Sequence, residues 1–279
     1  MTTLEPVREV VGLTPGAQQH VKQTSADGLD IARISIDVEG FPVPAYTARP
    51  GGREGDALPV LLVAGESFGL HPHLEDVTRR LAHEGYLAIA PDLMARQGDP
   101  ADHPDINDLL ATVLHKIPDE QVMNDLDAVR SWAVRHGGDE QRVGFVAFSW
   151  GGRWAWLYSA RTALAAGVVW YGVLDDSLPG LLPDRSLAPT NPVEIADTIQ
   201  TPVLGLYAGK DAVIPVSALE TVQQALARRP ENAPAAELVV YPDTVHGFHA
   251  DFRDDYDADA AADSWDRALR WLRNHNLGG

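Results

Sequence analysis

One serine lies in a stretch whose residue types and spacing favour nucleophilic chemistry. Residues 142–156 read RVGFVAFSWGGRWAW, in which an apolar run of strand length precedes Ser149 and a helix-like pattern follows it. Ala147 stands two positions before the serine and Gly151 two positions after it, which is the spacing of a nucleophile elbow. Such a turn lifts the hydroxyl above a sheet and aims helical N–H groups at the same point, where an oxyanion could bind. The alternative interpretation is a serine N-cap in an ordinary strand-to-helix turn.

A serine hydroxyl needs a base to take its proton, and that base needs an acid to orient it. Asp211 follows the apolar segment Val203 to Tyr207, and His246 follows the segment Glu237 to Tyr241. Ser, Asp, His is the chain order of α/β-hydrolases, with each residue just after a strand. Alone, Asp211 also fits a solvated loop aspartate and His246 a surface histidine, since the chain has ten histidines. Together they predict a catalytic triad with Ser149.

These residues need a parallel sheet to bring them to one edge, and the chain alternates between strand-like and helix-like segments. This alternation predicts the α/β class, with a mostly parallel, doubly wound sheet and helices on both faces. Together with the Ser, Asp, His chain order, it predicts an α/β-hydrolase fold. The predicted strands are Leu58–Val63, Leu87–Ala90, Val143–Phe148, Ala166–Tyr171, Val203–Tyr207 and Glu237–Tyr241, and the predicted helices are His73–Glu84, Asp105–Ile117, Asp119–Arg135, Val216–Ala227 and Ala258–Asn274.

Three further segments complete the expected organisation. Residues 1–28 show little periodicity and predict an N-terminal surface arm, and residues 29–279 predict a single domain. Within that domain, Leu29 to Ala48 alternates apolar and polar residues and breaks at Glu39-Gly40, which indicates a hairpin at the sheet edge. Residues 175–192 are rich in Pro, Asp and Leu without a clear period, so they predict an inserted rim or lid.

Composition narrows the class of partner. The net charge of −18 disfavours nucleic acids and anionic membranes as partners. We expect a small-molecule substrate, and a monomer or homodimer. No apolar run approaches the roughly 18 residues that span a bilayer, and the N-terminus lacks the basic-then-apolar order of a signal peptide. We therefore expect a cytoplasmic protein. The absence of cysteine excludes disulfides, cysteine-based zinc sites and a thiol nucleophile.

Four motifs between about Val60 and Trp271 resemble the dienelactone hydrolase family, the carboxymethylenebutenolidase-like α/β-hydrolases. They read GESFGLHPHLEDVTRRLAHEGYLAIAPDL at residues 65–93, FSWGGR at 148–153, LGLYAGKDAVIP at 204–215 and VVYPDTVHGFHADFRDDY at 239–256. The resemblance implies that Asp211 and His246 are the acid and base of the triad. It also places the backbone N–H groups of Trp150 and Ser67 at the oxyanion hole.

The resemblance extends to residues that would contact the nucleophile and the substrate. It implies that Glu66 contacts the nucleophile in the resting enzyme and that Arg96 lies near an arginine that holds a substrate carboxylate. The family has a second such arginine shortly after the histidine, but here Ala250 stands near that place and Arg253 follows three residues later. Together with Arg153 of the FSWGGR motif, Arg96 and Arg253 are the candidate substrate-binding residues.

The chief departure is the nucleophile, because the family usually carries cysteine where this chain has Ser149. The serine is either natural or a Cys-to-Ser change that silences the enzyme. Beside a serine, three roles are open for Glu66: a proton partner of Ser149, a structural hydrogen-bond acceptor, or a relic of a cysteine enzyme without a present function. The sequence thus predicts a hydrolase that cleaves a small carboxylic ester or lactone through a Ser149 acyl-enzyme. The alternatives are a cysteine-type dienelactone hydrolase inactivated at this position, or a non-catalytic ligand-binding member of the fold.

We expect neither a cofactor nor a metal ion. His71 and His73 could pair on a metal, but their loop offers no third ligand at metal spacing. The acidic run from Asp251 to Asp263 lacks the glycine and spacing of a calcium loop. The glycines at 151 and 152 do not form a dinucleotide-binding fingerprint after a strand.

Overall fold

The computed structural model describes residues 22–53 and 55–279. Residues 1–21 of the predicted N-terminal arm therefore lie outside the described residues. The part of the arm that is described is bound to the domain at several points. The N–H of Lys22 donates to Asp251 at 2.9 Å, and the N–H of Thr24 donates to Asp76.

The described chain forms eight strands and seven α-helices. The strands are β1 Leu29–Val38, β2 Phe41–Pro50, β3 Leu58–Ala64, β4 Leu87–Pro91, β5 Gly138–Phe148, β6 Ala166–Trp170, β7 Val203–Ala208 and β8 Ala236–Tyr241. The helices are α1 Pro72–His83, α2 Ile106–Thr112, α3 Asp119–Arg135, α4 Ser149–Arg161, α5 Pro192–Ile195, α6 Val216–Ala227 and α7 Ala258–Asn274. Among the described residues, no helix combines the length and apolar character that crossing a bilayer requires.

All eight strands join one sheet in the order β1-β2-β4-β3-β5-β6-β7-β8. The pairs β1–β2 and β2–β4 are antiparallel, and every other pair is parallel. Every residue of β3, β4, β6 and β7 is buried, as expected of strands with both faces covered. The predicted α/β-hydrolase fold is confirmed.

The edge hairpin follows from its two-residue turn. Glu39 and Gly40 have φ angles of 54° and 82°, the positive values that a tight hairpin turn between right-twisted strands requires. β1 lies at the edge of the sheet, as the sequence predicts.

The strand order reverses direction between β3 and β5, and this reversal positions the site. Within the sheet, β4 is the neighbour of β3 on one side, and β5 is its neighbour on the other side. Right-handed crossovers place α1 on one face, and α3 and α4 on the opposite face. The crevice at such a switch point opens at the carboxyl ends of the strands, which here are those of β3 and β5.

One predicted helix differs in detail from the structure. The single helix predicted over Asp105–Ile117 is divided into α2 and a 3-10 turn at Leu114–Lys116, with Val113 between them at φ −111° and ψ −68°. Residues 175–192 form turns and irregular chain as far as α5, which begins at Pro192.

Candidate active site

Ser149 stands in a strained turn between β5 and α4. Its φ of +49° lies in the left-handed region that non-glycine residues rarely adopt, and such strain is typical of a nucleophile elbow. A Cβ on Gly151 would lie 2.4 Å from the carbonyl oxygen of Gly65, so only glycine fits where the helix meets the end of β3. The N–H of Gly151 donates to that same oxygen at 2.9 Å. The turn and the loop after β3 are therefore held together.

The structure brings Ser149, His246 and Asp211 into one hydrogen-bonded chain. The Ser149 hydroxyl lies 2.9 Å from Nε2 of His246, and Nδ1 of His246 lies 2.9 Å from Oδ2 of Asp211. The other carboxylate oxygen of Asp211 accepts the N–H groups of Val213 and Ile214, at 2.8 and 2.9 Å. These two bonds fix the carboxylate, so Oδ2 faces the imidazole. His246 and Asp211 are both buried, which shields the chain from water.

Two backbone N–H groups stand free beside the serine. Trp150 is the second residue of α4, where no carbonyl of the helix can accept its N–H. Ser67 lies in the loop after β3, and within the described chain its N–H donates to no backbone carbonyl. Both residues line the same cleft as Ser149.

Glu66 lies in this loop, next to Ser67, and its side chain is buried. No described residue gives either of its carboxylate oxygens a well-aligned hydrogen bond, and its ion pair with Arg253 spans 3.8 Å. The phenol of Tyr171 is close by: burial raises the pKa of Tyr171 well above its usual value, and the charge of Glu66 raises it further. Glu66 thus belongs to a buried group with Tyr171 and Arg253.

A small, mostly apolar cleft includes Ser149 in its lining. Three of its lining residues belong to the reaction centre or the loops beside it, namely Ser67, Ser149 and His246. The others are apolar: Ile106, Leu110, Leu114, Trp150, Val173, Leu181 and Val213.

Two of the three predicted substrate-binding arginines lie elsewhere. Arg96 donates to the buried carboxylate of Asp125 at 2.6 Å, with its guanidinium carbon 4.6 Å from the centre of the Phe41 ring. Arg153 is 1% exposed and forms a double hydrogen bond with Asp119. Neither is among the residues that line the cleft, and each guanidinium is bound to a buried carboxylate.

The third, Arg253, is also absent from the cleft lining. It lies behind the triad between Glu66 and Asp255, at 3.8 and 3.4 Å. A Cβ on Gly247 would lie 2.7 Å from Nε of Arg253, and Gly247 has a φ of +84°. The glycine after His246 therefore lets the histidine loop fold tightly over this arginine.

A buried ionic network anchors the other end of the histidine loop to α1. Asp251 accepts from Nδ1 of His73 at 2.8 Å and from Arg80 at 2.9 Å, and Arg80 also donates to Asp76 at 2.6 Å. Burial by itself would raise the pKa of Asp251, but the hydrogen bond and charge of His73, with Arg80, lower it to about 2. The carboxylate therefore stays ionised and holds the loop in place.

The side chain of His73 is thus bonded to Asp251. The ring of His71 stacks on the ring of His73, with the ring centres 6.0 Å apart. Burial, followed by the charge of His73, lowers the pKa of His71 to about 3. The part of the chain that the structure describes contains no group of three histidine or carboxylate side chains suited to a metal ion.

Sequence reasoning missed Tyr171 and the apolar wall of the cleft. Tyr171 has a φ of +36°, and its ring lies 5.1 Å from that of His246. Its place at the end of β6, on the same edge as the triad, was the signal that could have identified it. Leu181 carries no comparable signal, because residues 175–192 have no period that shows which side faces the site.

Comparisons with known proteins identify the family to which the chain belongs. The chain matches the sequence profile of the Dienelactone hydrolase family over residues 43–276. It is 46% identical to the "Putative carboxymethylenebutenolidase" of Escherichia coli strain K12, over 95% of each chain. It is 41% identical to the protein of the same name from Methylorubrum extorquens, over 96% of this chain and 89% of that one.

Among solved structures, the "Putative Dienelactone Hydrolase" of Klebsiella pneumoniae superposes with a TM-score of 0.80 at 47% identity. That alignment covers 88% of this chain and 98% of the other. The match of the family profile to most of the chain, and close relatives that extend over almost its whole length, lead to one conclusion: the chain belongs to the dienelactone hydrolase family.

Proposed function

We propose that the protein hydrolyses a small carboxylic ester or lactone through an acyl-enzyme formed on Ser149. The observation that carries this proposal is the chain from Ser149 through His246 to Asp211, with both links at 2.9 Å, below an apolar cleft. Family membership supports the class of reaction.

The hydrogen bonds assign the protons. An ionised Asp211 only accepts hydrogen bonds, so Nδ1 of His246 must carry the proton between them. Nε2 then presents its lone pair to the Ser149 hydroxyl, as a general base requires. Asp211 holds this tautomer and stabilises the imidazolium that forms when His246 takes the proton.

Acylation begins when Oγ of Ser149 attacks the carbonyl carbon of the substrate and its proton passes to Nε2. The carbonyl electrons move to oxygen, and this oxyanion accepts the N–H groups of Trp150 and Ser67. Collapse breaks the bond to the leaving alkoxide, which takes the proton from His246. With a lactone the leaving hydroxyl stays attached to the acyl group.

Deacylation repeats the sequence with water. His246 takes a proton from the water molecule as its oxygen attacks the acyl carbon, and the second oxyanion occupies the same N–H pair. Its collapse releases the carboxylic acid and returns the proton to Ser149. The cycle needs neither a metal ion nor a cofactor, because His246 moves every proton.

The strained turn supports a serine that acts as nucleophile over one that only caps a helix. Phe148, and not Ser149, stands at the N-cap position of α4, and the Ser149 hydroxyl lies 2.9 Å from Nε2 of His246. A serine that only caps a helix does not need the strained φ of +49° that Ser149 adopts.

The test is turnover of 4-nitrophenyl acetate and butyrate by wild type and by Ser149→Ala. We expect the alanine variant to fold normally and to lose about 10³-fold or more in kcat. Ser131→Ala, which removes an exposed helix serine bonded only to the carbonyl of Asp127, is the matched control and should keep full activity. Activity that survives in Ser149→Ala would refute the proposal.

Ser149→Cys separates a natural serine enzyme from a silenced cysteine enzyme. A site arranged for an alkoxide should turn over oxygen esters more slowly with the thiol. A silenced cysteine enzyme would be inert as purified and would gain activity by orders of magnitude in this variant.

A further inference from the structure

The cleft above Ser149 has no charged side chain among its lining residues. Its seven apolar members surround the three polar ones, and Ser67, Ser149 and His246 are already assigned to the reaction. The part of a substrate that enters the cleft therefore meets only aliphatic and indole surface away from the reacting carbonyl.

None of the three candidate arginines, Arg96, Arg153 and Arg253, is among the residues that line the cleft. The guanidinium of Arg96 pairs with Asp125, and that of Arg153 pairs with Asp119, both in buried or nearly buried positions. A carboxylate carried into the cleft would lose its hydration without gaining a partner of opposite charge, which is strongly unfavourable. The net charge of −18 adds to this by opposing the approach of an anion.

Residues 175–192, which we call the rim segment, close one side of the cleft with Leu181. Three contacts hold this segment on the domain. His115 donates to the carbonyl of Leu181 at 3.1 Å, Arg153 donates to that of Thr190 at 2.8 Å, and the N–H of Asp119 donates to that of Leu187 at 2.9 Å.

Another part of the wall comes from α2 and the 3-10 turn that follows it, through Ile106, Leu110 and Leu114. Leu114 and Leu181 are both buried. His115, the neighbour of Leu114, is bonded to the carbonyl of Leu181. The two segments that carry these wall residues are therefore held together.

We propose that the site accepts uncharged esters or lactones with a short apolar acyl group, and that Leu181 and Leu114 limit the length of that group. This rests on the proposed function of Ser149 and names the substrate class that the cleft selects.

The test compares 4-nitrophenyl pentanoate with mono-4-nitrophenyl glutarate, which differ by a methyl group against a carboxylate at the far end of the acyl chain. We expect kcat/KM of wild type to favour the pentanoate by about 100-fold or more. Leu181→Arg should reduce this ratio at least tenfold. Ser186→Arg, which adds the same charge at an exposed position of the rim segment outside the cleft, should leave it unchanged.

Chain length is tested with 4-nitrophenyl butyrate and octanoate. Leu181→Ala should raise the octanoate-to-butyrate ratio of kcat/KM by roughly tenfold relative to wild type, because it removes three carbons from the wall. An unchanged ratio, or a wild type that prefers octanoate, would contradict the role of Leu181.

Measuring the binding of substrate analogues to the Ser149→Ala variant tests the substrate class without relying on turnover. Calorimetry should show that pentanamide binds this variant more tightly than glutaramate, its carboxylate analogue. If wild type turns over no ester but this preference is found, the proposed reaction fails while the selectivity stands. If glutarate and glutaramate are accepted equally or better, the selectivity is overturned even though the hydrolysis is established.

Discussion

Replacing Arg153 by methionine tests whether this arginine supports the structure or binds substrate. The side chain is 1% exposed, and it gives two hydrogen bonds to Asp119 and one to the carbonyl of Thr190. Methionine retains much of the apolar length but leaves the buried Asp119 carboxylate without its cation. Removing one partner of a buried ion pair costs roughly 3–5 kcal/mol, which is a large part of a typical total stability of about 5–15 kcal/mol.

The assay is urea unfolding, with the melting temperature as a second measure. At about 2–4 °C per kcal/mol for a domain of this size, the loss should lower the melting temperature by roughly 6–20 °C. Arg161→Met is the matched control on the same helix. Arg161 is 38% exposed and pairs with Glu120 and Asp127 at the surface, so its loss should cost about 1 kcal/mol or less.

The reasoning would be refuted if Arg153→Met were no less stable than Arg161→Met. It would also be refuted if Arg153→Met kept its stability and lost only the turnover of carboxylate-bearing esters, because that pattern belongs to a substrate-binding arginine.

Three other substitutions test separate parts of the structure. Gly151→Ala would press a Cβ to 2.4 Å from the carbonyl oxygen of Gly65, so kcat should fall by about 100-fold or more as the N–H pair moves; full activity would contradict this close approach. Asp251→Asn removes a carboxylate whose pKa is lowered from 3.8 to about 2, so wild type should be more stable by about 2 kcal/mol above pH 4, and this advantage should disappear as the pH falls from 4 to 2. A difference in urea midpoints that does not vary between pH 6 and pH 2.5 would refute the depressed pKa. Arg96→Met leaves the buried Asp125 unpaired and should lower the stability by roughly 2–4 kcal/mol, while the ratio of pentanoate to glutarate turnover stays the same; a change in that ratio would return Arg96 to substrate binding.

The helices and strands were predictable from the sequence because their signals are local, and so was the approach of Ser149, Asp211 and His246 to one another. α3, α6 and α7 begin and end at the predicted residues, since each has an amphipathic period bounded by helix stop signals. Ser149, Asp211 and His246 each follow an apolar strand, and the carboxyl ends of parallel strands meet at one edge of a sheet. The chain order was therefore enough to predict that they come together.

The roles of the arginines were not predictable, because they depend on contacts between distant parts of the chain. Arg153 pairs with Asp119, which is 34 residues away in the sequence. The chain contains 40 aspartate and glutamate residues, and no pattern shows which of them pairs with a given arginine. The family resemblance placed Arg96 near a substrate-binding position, but in this chain Arg96 forms an ion pair with Asp125.

The residues that form the wall of the cleft could not be predicted, for a related reason. Leu181 lies in irregular chain whose path is set by His115, Arg153 and Asp119, residues of other segments. Val113 interrupts the predicted helix over Asp105–Ile117 and orients Leu114 separately from α2. Both features are properties of tertiary packing.

The most direct test of the central claim is covalent labelling by a fluorophosphonate probe, followed by mass spectrometry. A serine activated by His246 should attack the phosphorus and displace fluoride, so the protein should gain the mass of one probe, located on the peptide that carries Ser149. Ser149→Ala should gain none, and His246→Gln should label far more slowly. Labelling of another serine, or no labelling of a folded wild-type protein, would contradict the account.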